Sequence, residues 1–186
     1  QRQMCIRDRE MMQAPAEEVL ALMDSCMVRF TEPYTEAAAP YLLERAQARM
    51  NAGQARSAML DYDAYFKAVN GNVNDLFYYY REQAALKAKQ YQRALDDLAK
   101  AIELNPKDLT YRAELAVVNI RVGRNEDALN VLKAALEVDP KYAEAYRLMG
   151  IAQIQMKQKN EACASFAKAK ELGDTNVDAL IEKHCK

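Results

Sequence analysis

The chain has 186 residues, enough to bury a sizeable core in one domain or a short repeat array. Half of its residues are hydrophobic and 28% are charged, with five Gly and five Pro, a profile that excludes a disordered or fibrous chain. Lys and Arg number 26 against 27 Asp and Glu, so no basic excess draws it to nucleic acid, and no apolar run approaches the roughly 20 residues of a membrane-spanning helix.

Residues 1–15 form an irregular start with neither an apolar run nor a helical period. Within it Met4-Cys5-Ile6-Arg7-Asp8-Arg9 resembles a translated sequencing-adapter fragment at a broken bacterial gene. That implies an N-terminally truncated chain whose signal region, if any, precedes residue 1, leaving both cytoplasm and periplasm open. From 16 to 30 the apolar residues Val19, Leu20, Leu22, Met23, Met27 and Phe30 recur at three and four, as on an amphipathic helix that Thr31-Glu32-Pro33 ends. This segment, 16–38 with its loop, reads as the remnant second helix of a repeat whose first helix is lost.

The next pair of helices is expected at 41–50 and 55–69, turning at Asn51-Ala52-Gly53, within a degenerate repeat over 39–74. Three further pairs follow at 75–88 and 91–104, at 109–122 and 125–138, and at 143–156 and 160–172. They fill repeats 75–108, 109–142 and 143–176. Asp75 is placed to cap its helix, Gly123 to turn the third pair and Gly173 to end the fourth. Val177, Leu180 and Ile181 then mark a short capping helix within 177–186, over an apolar end that a stacked array cannot leave open.

Three ladders step by 34 residues in one register. They are Ala94, Ala128 and Ala162; Leu98, Leu132 and Phe166; and Ala101, Ala135 and Ala169. Leu104-Asn105-Pro106 recurs as Val138-Asp139-Pro140, and each proline stops a helix. In the degenerate repeat Ala58, Tyr62 and Tyr65 take the ladder places at a step of 36, the two extra residues falling in the loop 70–74. Ala116 and Gly150 on first helices, opposite Ala128 and Ala162, permit close helix approach, while Leu115 and Met149 fill the pair interior and Leu132 and Phe166 the seam.

This period and pattern resemble the tetratricopeptide repeat, a helix-turn-helix module. The resemblance covers about 39–174 and is best in the last repeat, where Tyr146, Met149, Gly150, Ala162, Phe166 and Ala169 fit. It departs in the second, where Arg81 and Glu82 replace a large apolar and a small residue. Helical-hairpin solenoids that read RNA base by base share a similar period, and the alanine and proline ladders favour the tetratricopeptide pattern. The resemblance implies an all-α right-handed superhelix of about four hairpins with a C-terminal capping helix.

It further implies a non-enzymatic scaffold or adaptor that holds a protein or peptide partner in a concave groove lined by first helices. The groove positions are Leu43, Gln47 and Met50; Tyr79, Gln83, Leu86 and Lys87; Val117, Ile120 and Arg121; and Arg147, Ile151, Ile154 and Gln155. An apolar line edged by Lys87, Arg121 and Arg147 suits an apolar peptide with acidic groups. The alternative is a self-assembly module, or the C-terminal part of a larger protein whose activity lies upstream. One subfamily grips chaperone C-termini with a Lys and an Asn one turn apart on a first helix. Leu43 with Gln47, Tyr79 with Gln83, Ala113 with Val117, and Arg147 with Ile151 do not match, so no such clamp is expected.

No catalytic residue, metal or cofactor is expected. Cys5, Cys26, Cys163 and Cys185 lie far apart without a CxxC pair, which argues against zinc or a disulfide scaffold and for buried or incidental thiols. The single histidine, His184, and its neighbour Cys185 lie at an end expected to fray, too loose for a thiol and base pair. Asp61 with Asp63, Asp96-Asp97 and Glu126-Asp127 read as solvated helix faces. The run Phe77-Tyr78-Tyr79-Tyr80 offers base-stacking rings, but adjacent helical residues point apart; two or three should pack inward, leaving Tyr79 for the groove.

Overall fold

A computed structural model describes residues 15–186; Cys5 and most of the irregular start lie outside the described residues. The chain divides into two compact units, one ending at Gln90 and one beginning at Tyr91. Both are built of helices alone among the described residues.

The first unit holds α1 (Ala16–Met27), α2 (Ala39–Asn51), α3 (Ala55–Ala68) and α4 (Asp75–Lys87), with one 3-10 turn at Glu36–Ala38. Helices α2 and α3 form a hairpin, α1 lies against α2, and α4 against α3. Ala58 and Tyr62 of α3, at their ladder places, are buried, as Ala46 is on α2. The helix expected to be capped by Asp75 is capped instead by Asn74, whose Oδ1 accepts from the Phe77 amide at 3.1 Å. Asp75 is the first helical residue, where its charge still favours the positive end of the helix dipole.

Of the four adjacent aromatics only Phe77 is fully buried, stacked on Tyr65 at 5.2 Å and edge-on to Tyr62 at 5.9 Å. Arg81, out of pattern in the sequence, is accommodated by that cluster. Its guanidinium lies 5.3, 5.1 and 5.6 Å from the rings of Phe66, Phe77 and Tyr78 and reaches Asp63 at 3.5 Å. Glu82 is fully buried beside it, where the pattern has a small residue.

The first unit also corrects the expectation that its carboxylates form a solvated face. Asp61 is 2% exposed and ion-paired to two arginines of α2, Arg45 Nη2 at 2.6 Å and Arg49 Nη1 at 2.7 Å. The exposed Asp24 of α1 closes the network on Arg45 at 3.2 Å. Burial pushes the Asp61 carboxyl up, and the hydrogen bonds and charges of Arg45 and Arg49 offset part of that rise.

The second unit holds α5 (Tyr91–Leu104), α6 (Leu109–Arg121), α7 (Asn125–Val138), α8 (Ala143–Gln155), α9 (Lys159–Glu171) and α10 (Asp178–His184), with a 3-10 turn at Thr175–Val177. Helices α6 with α7 and α8 with α9 are hairpins, and α5 and α7 pack against the first helices that follow them. The ladder residues Ala94, Leu98, Ala101, Ala128, Leu132, Ala135, Ala162, Phe166 and Ala169 are all fully buried. Asp97 on α5, expected in solvent, is buried too, whereas Asp96, Glu126 and Asp127 are exposed.

Close approach decides two features of the hairpins. A side chain at Gly150 would put its Cβ 2.5 Å from Phe166 Cδ1 and 2.9 Å from Cζ, so the bulk of Phe166 fits only because position 150 has none. In the hairpin before it the pair is graded differently, with Ala116 and Leu132 in one buried cluster. The turns that follow α2, α4, α6 and α8 each carry one left-handed residue. Gly53 and Gly123 supply it at φ of 73° and 80°, while Lys89 and Lys157 occupy the same register at 61° and 63°, a conformation costing an L residue about 1–2 kcal/mol.

The cysteine expectation is overturned in this unit. Cys163 on α9 and Cys185 just beyond α10 form a disulfide with Cα atoms 5.6 Å apart, and no cysteine among the described residues is a free thiol. The pairing arises because the chain reverses at the 3-10 turn and lays α10 back along α9, an approach that a separation of 22 residues does not disclose. The C-terminus is therefore tethered rather than frayed, and the Cys185 sulfur beside His184 is held in a disulfide rather than as a thiol.

Candidate functional site

In the first unit the α4 face places Tyr79, Gln83 and Leu86 half-buried and Lys87 exposed. On α2, Leu43 is half-buried and Gln47 exposed, its amide bonded to Asn51 at 3.2 Å. Met50, expected on the groove, is 6% exposed and belongs to the core.

In the second unit Val117 of α6 and Ile151 of α8 are half-buried and border one apolar cluster, with Arg121 and Gln155 exposed at the helix ends. Ile120 is inside that cluster at 8% exposure and leaves the surface set. Ile154 borders a second cluster of Ala162, Phe166, Ala169 and Val177, which Leu180 and Ile181 of α10 also flank. Both isoleucines of α8 thus carry packing as well as partly open surface.

Arg147 is drawn into the protein's own charge network. Its Nε donates to Asp174 Oδ2 at 2.8 Å and its Nη2 to Glu144 Oε1 at 2.5 Å, and the Tyr142 hydroxyl donates to the other Glu144 oxygen at 3.0 Å. Asp174 in turn accepts from the Asn176 amide at 2.8 Å, so Arg147 ties α8 to the turn that launches α10. Sequence reasoning placed Arg147 with Lys87 and Arg121 because its partner Asp174 is 27 residues away and becomes a neighbour only when α9 folds back.

Glu114, on α6, was not singled out by the sequence. Burial pushes its carboxyl up, the Glu144 charge adds to the rise, and Arg121 draws it down. A carboxyl raised by folding contributes stability in full below its ordinary value of 4.5 and loses it as pH climbs through the raised value. Glu114→Gln should therefore raise the melting temperature at pH 7, and the gain should vanish near pH 4 in thermal scans followed by circular dichroism. A gain independent of pH would contradict this assignment.

A shallow open concavity lies at the α6–α7 turn, lined by Gly123, Arg124, Asn125, Glu126, Asp127 and Met156, and includes none of the expected groove residues. Among the described residues no three His, Cys, Asp or Glu side chains are grouped to hold a metal ion, and no helix is long and apolar enough to cross a membrane.

Comparison with known proteins agrees with this architecture. The TPR repeat family matches residues 120–157, and the family described as anaphase-promoting complex, cyclosome, subunit 3 matches 51–135. The small glutamine-rich tetratricopeptide repeat-containing protein 2 of Mycosarcoma maydis is 33% identical over half of this chain and 26% of its own length. The protein SGT1 homolog of Bos taurus is 31% identical over half of this chain and 28% of its own. Heat shock protein STI1 of Saccharomyces cerevisiae is 30% identical over 54% of this chain and 18% of its own. The chain thus spans roughly a fifth to a quarter of the length of these relatives. Among solved structures, YrrB, described as a TPR protein with an unusual peptide-binding site, superposes with a TM-score of 0.72 over 90% of this chain and 83% of its own at 23% identity. MamA does so with a TM-score of 0.75 over 91% and 89% at 19% identity. Repeat spacing, buried ladders, hairpin construction and these matches together support a tetratricopeptide repeat protein and show the all-α hairpin fold of such repeats.

Proposed function

We propose that the chain is a non-enzymatic scaffold or adaptor that holds a peptide or protein partner on the first-helix faces of its repeats. The observation that carries the proposal is the mixed character of those faces in the second unit. Val117, Ile151 and Ile154 pack against the buried clusters yet remain partly open, with exposed Arg121 and Gln155 at the end of the face. The α4 face of the first unit offers Tyr79, Gln83, Leu86 and exposed Lys87 in the same way. Partly open apolar positions beside cations suit an apolar peptide bearing acidic groups, with steering from the charges and affinity from the apolar anchors.

Because Arg147 is bound to Glu144 and Asp174, Lys87 and Arg121 carry the acidic preference. Similarity to heat shock protein STI1 and to the co-chaperone sgt12 of Aspergillus fumigatus supports the adaptor role; the Lys and Asn pair of a chaperone-tail clamp is missing at all four first-helix positions, so the partner is met through apolar contact. Affinity capture from lysate with the wild type and with Lys87→Glu/Arg121→Glu tests the proposal. A protein retained by the wild type and lost by the variant, with helicity unchanged, is the expected result. Recovery of the chain alone, equally by both, would support self-assembly in place of an adaptor.

A further inference from the structure

We propose that the Cys163–Cys185 disulfide is a redox latch that holds α10 closed over the apolar end of the α8–α9 hairpin, and that its reduction by a dithiol releases α10 while leaving the hairpin folded. This goes beyond the partner proposal and does not depend on it.

The observations concern how little else holds α10. It has seven residues, about half the length at which an isolated helix becomes even marginal, and none of them is fully buried. Its apolar contribution is Leu180 and Ile181, both half-buried beside Phe166 and Val177. The ion pair Lys170–Asp178 joins side chains 60% and 57% exposed, where such pairs contribute little, and Lys186–Glu182 lies within the tail itself. Lys159 adds one long contact, 3.3 Å to the Lys186 carbonyl. The disulfide, by contrast, spans the whole segment, from α9 to the residue just beyond α10.

The hairpin beneath has its own supports. Gly150 against Phe166, the buried Ala162 and Ala169, and the Arg147–Asp174 pair all lie before α10 in the chain. Val177 is fully buried ahead of α10 and marks the hinge at which release would stop. Both cysteines are half-buried rather than sealed, so a thiolate can reach the sulfurs.

The chemistry is a balanced two-electron exchange. One thiolate of the dithiol attacks a sulfur of the Cys163–Cys185 bond, and the other cysteine leaves as thiolate and takes a proton. The second thiol of the reductant then displaces the first cysteine from the mixed disulfide, giving two cysteine thiols and an oxidised, disulfide-bonded reductant. Closing a loop of this length favours the closed arrangement by on the order of 100-fold over the untethered one. Reduction should lower the closed-to-open ratio by a comparable factor, uncovering Phe166 and the flank of Ile151 and Ile154.

The test is hydrogen exchange read by mass spectrometry on the full chain, oxidised and after dithiothreitol, alongside Cys163→Ser/Cys185→Ser. Because Cys26 is also disulfide-bonded, the double variant separates this latch from other effects of the reductant. Amides of 178–184 should exchange on the order of 100-fold faster in the reduced wild type and in the variant under both conditions, while α8 and α9 keep their protection. Unchanged protection of 178–184 would overturn the proposal. So would loss of protection throughout α8 and α9, which would make the disulfide a staple of the whole hairpin. Cys163→Ala/Cys185→Ala, run in parallel, guards against an effect of serine polarity.

Discussion

Asp61→Ala should cost the first unit about 3–5 kcal/mol, the largest single-residue effect expected in the chain. The carboxylate is 2% exposed and is the common partner of Arg45 and Arg49, whose own side chains are only 12% and 17% exposed. Removing it leaves the two guanidiniums, in a largely dry site, with only the half-exposed Asp24 as counter-charge, 3.2 Å from Arg45 and 3.5 Å from Arg49, so the loss is dominated by under-compensated buried charge rather than by one missing contact. Replacing the whole set, as Asp61→Leu with Arg45→Met and Arg49→Leu, should recover most of the loss, since an apolar triad of similar volume leaves no charge stranded. Thermal and urea unfolding followed by tyrosine fluorescence checks both variants. A melting point lowered by more than about 10 °C for the single change, and largely restored in the triple, is the expected pattern. A loss under about 1 kcal/mol for Asp61→Ala would mean that the network is solvated.

Gly150→Ala should destabilise the α8–α9 hairpin by about 1–3 kcal/mol, although alanine is the better helix former by close to 1 kcal/mol at an unconstrained position. The sign is set by Phe166, whose ring atoms lie 2.5 and 2.9 Å from where the new methyl would stand. Phe166 is fully buried and cannot swing into solvent, so either the ring leaves its rotamer or the helices part. The chain contains its own rescue. Ala116 and Leu132 share a cluster in the preceding hairpin, so Gly150→Ala combined with Phe166→Leu rebuilds a pairing already tolerated there. The double variant should be more stable than the sum of the single changes predicts, by at least about 1 kcal/mol in a double-mutant cycle. Simple additivity would mean that the two positions do not meet.

What was legible in the sequence follows from these two sites. Gly150 and Phe166 stand in local, periodic ladders, and a 34-residue period is visible without knowing which helices touch. Helix limits, hairpin turns and the buried alanines followed from that period to within a residue or two. Asp61 was misread because a carboxylate on an exposed-looking helix differs from a buried one only in what lies opposite, and Arg45 and Arg49 come from the other helix of the hairpin. The same limit explains Arg147, whose partner Asp174 lies across a folded-back helix, and Cys163 with Cys185, whose meeting depends on the reversal at Thr175–Val177. Ile120 and Met50 were assigned to the surface from register alone. Both are buried, and a rotation of a fraction of a turn decides between core and surface. Lys89 and Lys157 carry the opposite lesson: the turn geometry is retained where the glycine is not, so a rule seeking glycine finds only half of the turns.

The adaptor role is tested most directly by selecting from a random peptide display library against the oxidised chain, with Lys87→Glu/Arg121→Glu as the counter-selection. Enrichment of apolar sequences carrying Asp or Glu, bound by the wild type and lost in the variant while its circular dichroism is unchanged, is the predicted result. Absence of any enriched sequence, or one bound equally by both proteins, would contradict the assignment of the first-helix faces as the working surface.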